Sequence, residues 1–194
     1  MRKTHFVLTI ILLCLVSIAN GQFNKRQKEF VTSFLNEMRE SKYPVFYLSN
    51  NDYHTLLDAL KPDTLKDMWA LAGKNKPQNK LILTQKERKH IRSKLRQLRE
   101  LTWDDHLLPK ARLLPRDTVQ YYLKDRARGW QRMYDQGISG FYTFSNPIFL
   151  RNETLCIFQY DYSCGNLCGD GTIMIYRKEN GKWKPYINLA NWVS

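Results

Sequence analysis

Two cysteines carry the clearest chemical signal in the chain. Cys164 and Cys168 lie in the run Cys164-Gly165-Asn166-Leu167-Cys168-Gly169-Asp170-Gly171. That spacing suits a small loop closed by a disulfide, and the flanking glycines accept the backbone angles that a tight loop demands. A thioredoxin-like redox pair has two residues between its cysteines and sits in a βαβ pattern, and neither is present. Zinc needs a fourth ligand, and no histidine follows His106. Cys156 falls on the apolar face of a predicted strand, where a buried free thiol is the expected state.

The second signal is charge. The 194 residues carry 31 Lys and Arg against 18 Asp and Glu, a formal +13. Between Thr84 and Arg132 there are 14 basic and six acidic residues, a local +8. Lys86, Arg88, Lys89, Arg92, Lys94, Arg96 and Arg99 surround an apolar stripe of Ile91, Leu95 and Leu98. Arg88, Arg92, Arg96 and Arg99 are the candidate contacts for an anion such as an envelope glycolipid, a headgroup or an acidic glycan. A solvated helix surface with a basic bias is the plainer alternative. Nucleic acid is not an expected partner, because no nucleic-acid motif occurs.

The remaining reactive side chains form no recognisable constellation. His54, His90 and His106 are scattered, and Asp104-Asp105-His106 are consecutive residues that cannot converge without help from elsewhere. There is no Gly-x-Ser-x-Gly, no His-Glu-x-x-His and no phosphate-cradling glycine loop. No catalytic residue, cofactor or metal ligand set is assigned. Eleven Tyr, nine Phe and five Trp are dense enough to line a cleft. Trp130, Tyr134, Phe141, Tyr142, Tyr160, Tyr162, Trp183 and Trp192 are the candidates, although core packing explains most aromatic residues. Asn152-Glu153-Thr154 has the form of a glycosylation sequon.

Residues 1–21 read as a secretory signal. Arg2 and Lys3 precede an apolar stretch from Phe6 to Ile18, and Ala19-Asn20-Gly21 places small residues for cleavage. That stretch makes roughly 20 Å of helix against the about 30 Å of a bilayer. Export to the periplasm or beyond is therefore expected, with cleavage near Gly21 and no membrane span in the mature chain. Cleavage leaves 29 basic and 18 acidic residues, and three cysteines.

The mature chain, 22–194, is expected to form a single α+β domain that changes character near residue 137. The first part, 22–137, reads as helical. Phe30, Phe34, Leu35 and Met38 have helical spacing. Val45-Phe46-Tyr47-Leu48 fits a strand or a buried connector. Asn51 or Asp52 caps a short helix, and Asp63 caps another with Leu65, Met68, Trp69 and Ala72 on one side. Thr84 and Glu87 form a capping box. One further helix is expected from Asp117, with a stripe of Val119, Tyr122, Leu123, Ala127, Trp130 and Tyr134, ending at Gly137. The second part, 138–194, reads as about four antiparallel strands. From Cys156 to Tyr162 the chain alternates, with Cys156, Phe158, Tyr160 and Tyr162 on one face. Asn180-Gly181 predicts a type I′ hairpin, and Pro185 an edge strand or a bulge. The helices are expected to pack on one face of this meander.

The run Phe144-Ser145-Asn146-Pro147-Ile148-Phe149, the Cys164–Gly169 loop, the Glu179–Trp183 hairpin and the ending Trp192-Val193-Ser194 resemble a group of uncharacterised secreted proteins of Bacteroidetes-type bacteria. The resemblance spans roughly 84–194 and is most specific from Phe144 onward. It implies an exported α+β protein and supplies no catalytic residue. The leading expectation is a non-enzymatic exported domain that binds a partner or an anionic ligand in the cell envelope. The alternatives are an enzyme using Asp161 or Asp170 with His106, and an interaction or inhibitor module that presents the disulfide loop.

Overall fold

The computed structural model describes residues 25–37, 45–48, 54–68, 79–97, 103 and 111–194. The signal segment, the Asn51 or Asp52 cap, Met38, Trp69, Ala72, Leu98, Arg99 and His106 lie outside the described residues. The described elements are α1 (Lys25–Glu37), β1 (Val45–Leu48), α2 (His54–Ala59), β2 (Thr64–Lys66), β3 (Lys80–Ile82) and α3 (Gln85–Gln97). They continue with β4 (Ala111–Leu114), α4 (Arg116–Leu123), α5 (Gly129–Asp135), β5 (Phe141–Phe144) and β6 (Ile148–Leu150). The long strands β7 (Leu155–Gly165), β8 (Cys168–Glu179) and β9 (Lys182–Val193) complete the chain. Helices and a mostly antiparallel sheet make this an α+β protein.

The main sheet has seven strands in the order β4-β1-β5-β7-β8-β9, with β6 also paired to β7. Strand β1 runs parallel to β4 and β5, and the remaining pairs are antiparallel. A C-terminal meander of about four strands was expected, with Val45–Leu48 a strand or a connector; five strands follow residue 138, and Val45–Leu48 is a strand of the main sheet. Four strands precede residue 138, and two of them join the main sheet. These strands are only three or four residues long, too short for a period to separate strand from helix. Strands β5 and β6 follow one another along β7 and are parted by a bend at 145–147. Ser145 ties the bend down: its amide donates to the Gln159 carbonyl and its Oγ accepts from the Gln159 amide, both at 2.9 Å.

Both faces of this sheet are covered, where one was expected. On one face Phe158 and Tyr176 of the long strands meet Phe30 of α1, with ring centroids 5.1 and 5.4 Å apart. On the other, Ile157, Ile173, Ile175 and Ile187 pack with Leu56, Leu65, Leu81, Ile91 and Leu95. Alternation along β7 therefore sends Cys156 and Phe158 to one core and Ile157 to the other. This is how a strand buried on both sides can still show period two.

Local chemistry explains most of the ends. Asp63 does not cap a helix over Leu65 and Met68. Thr64–Lys66 instead pairs with Lys80–Ile82, which buries Leu65 and Leu81 in the same core, and the Asp63 carboxylate bonds Arg88. The capping box forms: the Thr84 amide donates to Glu87 Oε2 at 2.8 Å and the Glu87 amide to Thr84 Oγ1 at 3.2 Å. The single helix expected from Asp117 is two. Asp125 Oδ1 accepts from the Ala127 and Arg128 amides, both at 3.1 Å. This side-chain turn competes with helical bonding and restarts the chain at Gly129. Gly137 takes a positive φ and ends α5, with Ile138 N donating to the Met133 carbonyl at 2.9 Å. A left-handed glycine is a common helix stop. Asn180 and Gly181 both have positive φ, as a type I′ turn requires. Pro185 lies on edge strand β9, at a shift of register against Tyr176.

Candidate anion-binding site

Helix α3 sorts its basic residues, Lys89 apart, into two files. With 3.6 residues per turn, steps of four keep side chains on one face. Lys86, His90 and Lys94 form one file, and Arg88, Arg92 and Arg96 form the other. The buried Ile91 and Leu95 run between them and point the helix into the core. The first file lines a cavity of about 790 Å³. Pro147, Ile148, Phe149 and Leu150 make its apolar wall, and Gln27 of α1 closes one side. Arg151, Asn152 and Glu153, from the turn into β7, complete the rim.

That turn has an unusual backbone. Arg151, Asn152 and Glu153 all have positive φ. This is the left-handed region, which non-glycine residues rarely enter. The fastenings are visible. Arg151 Nε donates to Glu87 Oε1 at 3.0 Å, and its guanidinium also reaches the Ile82 carbonyl at 3.1 Å. Arg26 of α1 pairs with Glu153. Thr154 Oγ1 donates to the Arg151 carbonyl at 2.8 Å.

These bonds settle the charge of the cavity. Burial pushes the Glu87 carboxyl up, but the Thr84 amide and the Arg151 guanidinium together outweigh it and hold the group below its ordinary value. Both lining carboxylates, Glu87 and Glu153, are thus engaged by arginines. Lys86, His90 and Lys94 have no carboxylate partner among the described residues. Lys94 Nζ donates instead to Gln97 Oε1 at 3.2 Å. The cavity therefore presents two ammonium groups and an imidazole that no described carboxylate neutralises.

Of the arginines singled out from sequence, the described ones, Arg88, Arg92 and Arg96, do not line this site. Arg88 bonds Asp63, and Arg92 and Arg96 are exposed on the far file. Sequence spacing could not choose between the files, because both repeat every four residues. What decides is which flank of α3 meets β6 and the left-handed turn. The sequence offers Asn152 as a sequon residue, and the part that it and Arg151 play in the cavity follows from contacts far apart in the chain.

The other candidates are distributed as follows. Cys164 and Cys168 are joined, with Cα atoms 5.1 Å apart. Cys156 is buried, and burial pushes its thiol well up, which leaves it a poor nucleophile. Asp161 accepts from Trp192 Nε1 at 2.7 Å and from Gln159 Nε2 at 2.9 Å. Burial, reinforced by the Asp170 carboxylate beside it, pushes the Tyr160 phenol up to about 12. Trp130 stacks on Phe141 at 5.8 Å, Tyr142 lies 4.6 Å from Tyr162, and Trp183 packs on Phe30 and Phe149. None of the eight cleft candidates lines the cavity. Among the described residues no three His, Cys, Asp or Glu side chains gather as a metal site, and no helix is long and apolar enough to cross a membrane. In comparisons with protein families, curated proteins and solved structures, no match to the chain was found.

Proposed function

We propose that this chain is an exported, non-enzymatic domain that holds an anionic ligand in the cavity between α3 and the left-handed turn. The observation that supports it most is the Lys86-His90-Lys94 file, lined up along a concave surface whose own carboxylates are already paired. Uncompensated cations in a recess attract anions more strongly than the same charges on an open face, because low-dielectric walls focus the field. Export rests on the residue 1–21 pattern, and the secreted protein is expected to begin at Gln22.

Calorimetry of the disulfide-bonded mature chain with tripolyphosphate at low salt tests the site. The Lys86→Ala/Lys94→Ala variant is expected to weaken binding about tenfold, and added salt to weaken it further, since two partly exposed charges are removed. The Arg92→Ala/Arg96→Ala variant is expected to bind as the parent does. Equal losses in both would return the basic helix to a solvated surface.

A second reading, a docking module, is favoured by one observation. Leu167 is 88% exposed at the tip of the clamped β7–β8 turn. Polar or glycine residues usually stand at such a position. Tyr134 bonds the Cys164 carbonyl beneath it. A rigid apolar tip loses little entropy on docking.

A further inference from the structure

We infer that the ligand of this cavity is an acidic oligosaccharide lying along α3, with one acidic group near Lys86 and another near Lys94. The inference rests on the anion-binding reading above and deepens it.

Spacing is the first argument. Lys86 and Lys94 are separated by eight residues, about 12 Å of helix axis. Flexible lysines could still converge on one small anion. Here Lys94 is drawn the other way, toward Gln97 in the next turn, so its ammonium points away from Lys86. A single phosphate or carboxylate cannot occupy both ends. Charges repeated along a chain can, with His90 between them.

The rest of the lining is the second argument. Thr84 and Asn152 supply a hydroxyl and a neutral amide beside the cations, the mixture that suits hydroxyl-rich rings, while the Gln27 amide is held by the Pro147 carbonyl at 3.3 Å. The apolar Pro147–Leu150 wall offers the C–H groups of a sugar ring van der Waals contact without calling for an open aromatic face. A nucleic acid strand wants aromatic faces on which bases stack. The Phe149 ring is already engaged, T-shaped with Phe30 at 6.1 Å and tilted against Trp183 at 5.8 Å.

The test uses calorimetry of the disulfide-bonded mature chain with four probes: trigalacturonate, galacturonate, neutral maltotriose and hexaglutamate. Trigalacturonate is expected to bind at least about tenfold tighter than either of the other sugars. Lys86→Ala and Lys94→Ala are each expected to weaken it by up to about fivefold, the range of one partly exposed charge. Arg92→Ala is expected to leave it unchanged. Asn152→Gly, which removes the side-chain amide and keeps the left-handed turn, should weaken trigalacturonate. Equal affinity for galacturonate and trigalacturonate would overturn the extended ligand, as would tighter binding of hexaglutamate. Both outcomes leave the cavity standing as an anion site. Loss of lysine dependence for tripolyphosphate as well would remove the cavity reading itself.

Discussion

Strand β7 is entered through Arg151, Asn152 and Glu153, three non-glycine residues in left-handed conformation. It is left through Gly165–Cys168, under a disulfide. The entry turn is held by arginine–carboxylate pairs that water and protons can reach. The exit is held by a covalent bond and by close packing: Trp192 lies across Gly171 to bond Asp161. The entry turn also forms the rim of the candidate site, and the exit does not touch it. A site whose walls are set by exchangeable ionic contacts can respond to ligand, salt and pH. The other end of the same strand is fixed against all three.

The largest effect is expected at the exit. A Cβ at Gly171 would overlap both the Trp192 indole nitrogen and the Asp161 carboxylate. Gly171→Ala must therefore break the indole bond and push the Trp192 ring off β8, at a cost of about 3 kcal/mol from overpacking and a lost charge-assisted bond. Urea unfolding followed by Trp fluorescence measures it. A loss below about 0.5 kcal/mol, the range of an indifferent surface change, would show that the packing at this end is loose.

The disulfide comes next. It joins residues four apart in sequence. For so short a loop, chain entropy assigns the bridge about 2 kcal/mol. Cys164→Ser/Cys168→Ser should lose that amount in urea without changing tripolyphosphate affinity, because the clamp lies away from the cavity. In the native parent, thiol alkylation should leave Cys156 unlabelled. A change in affinity would join the two ends functionally and end the contrast between them.

At the entry turn the effect is smaller and depends on pH. Glu87 has its folded pKa held below the unfolded value near 4.5. Its contribution is therefore complete above that value and is lost as pH falls through the lower, folded one. Glu87→Gln keeps an acceptor for the Thr84 amide but loses the charge that Arg151 meets. About 1 kcal/mol is expected to go at pH 7. The gap between parent and variant should narrow as pH falls below about 4.5 and through the lower, folded pKa. A gap independent of pH would mean that packing, and not charge, holds the turn.

The same contrast governs what the sequence made legible. The capping box at Thr84, the Asn180-Gly181 turn, the Cys164–Cys168 bridge and the alternation along β7 are all local, and each could be read in place. The parallel pairing of β1 with β4 and β5 joins residues far apart in the chain, such as Tyr47 and Tyr142, and no local pattern announces it. The candidate site is legible in composition and not in geometry: the basic helix is plain, but Lys86, His90 and Lys94 differ from Arg88, Arg92 and Arg96 only in what packs beside them. Left-handed backbone at Arg151 and Glu153 is equally hidden, since neither residue prefers it. It persists because Glu87, Ile82 and Arg26 hold it from other elements.

The smallest prediction tests that strain by one substitution at each end. Asn152 carries a left-handed backbone penalty, reduced but not removed by its short polar side chain. Glycine removes the penalty and gives back part of the gain through a freer unfolded chain. Asn152→Gly should therefore raise stability by about 0.5 kcal/mol or less, a melting shift of roughly one or two degrees for a chain of this size. Asn166, in the exit turn, is not left-handed, and its Nδ2 reaches the Arg126 carbonyl at 3.5 Å. Asn166→Gly relieves nothing there, gives up that long contact and adds unfolded-state freedom, so it should lower the melting temperature by a similar amount. Opposite signs at the two ends, read by circular dichroism, would show that the site end of β7 stores strain and the clamped end does not. A fall in both would place the left-handed turn among ordinary turns, and the contacts of Arg151 and Glu153 would then have no strain to hold.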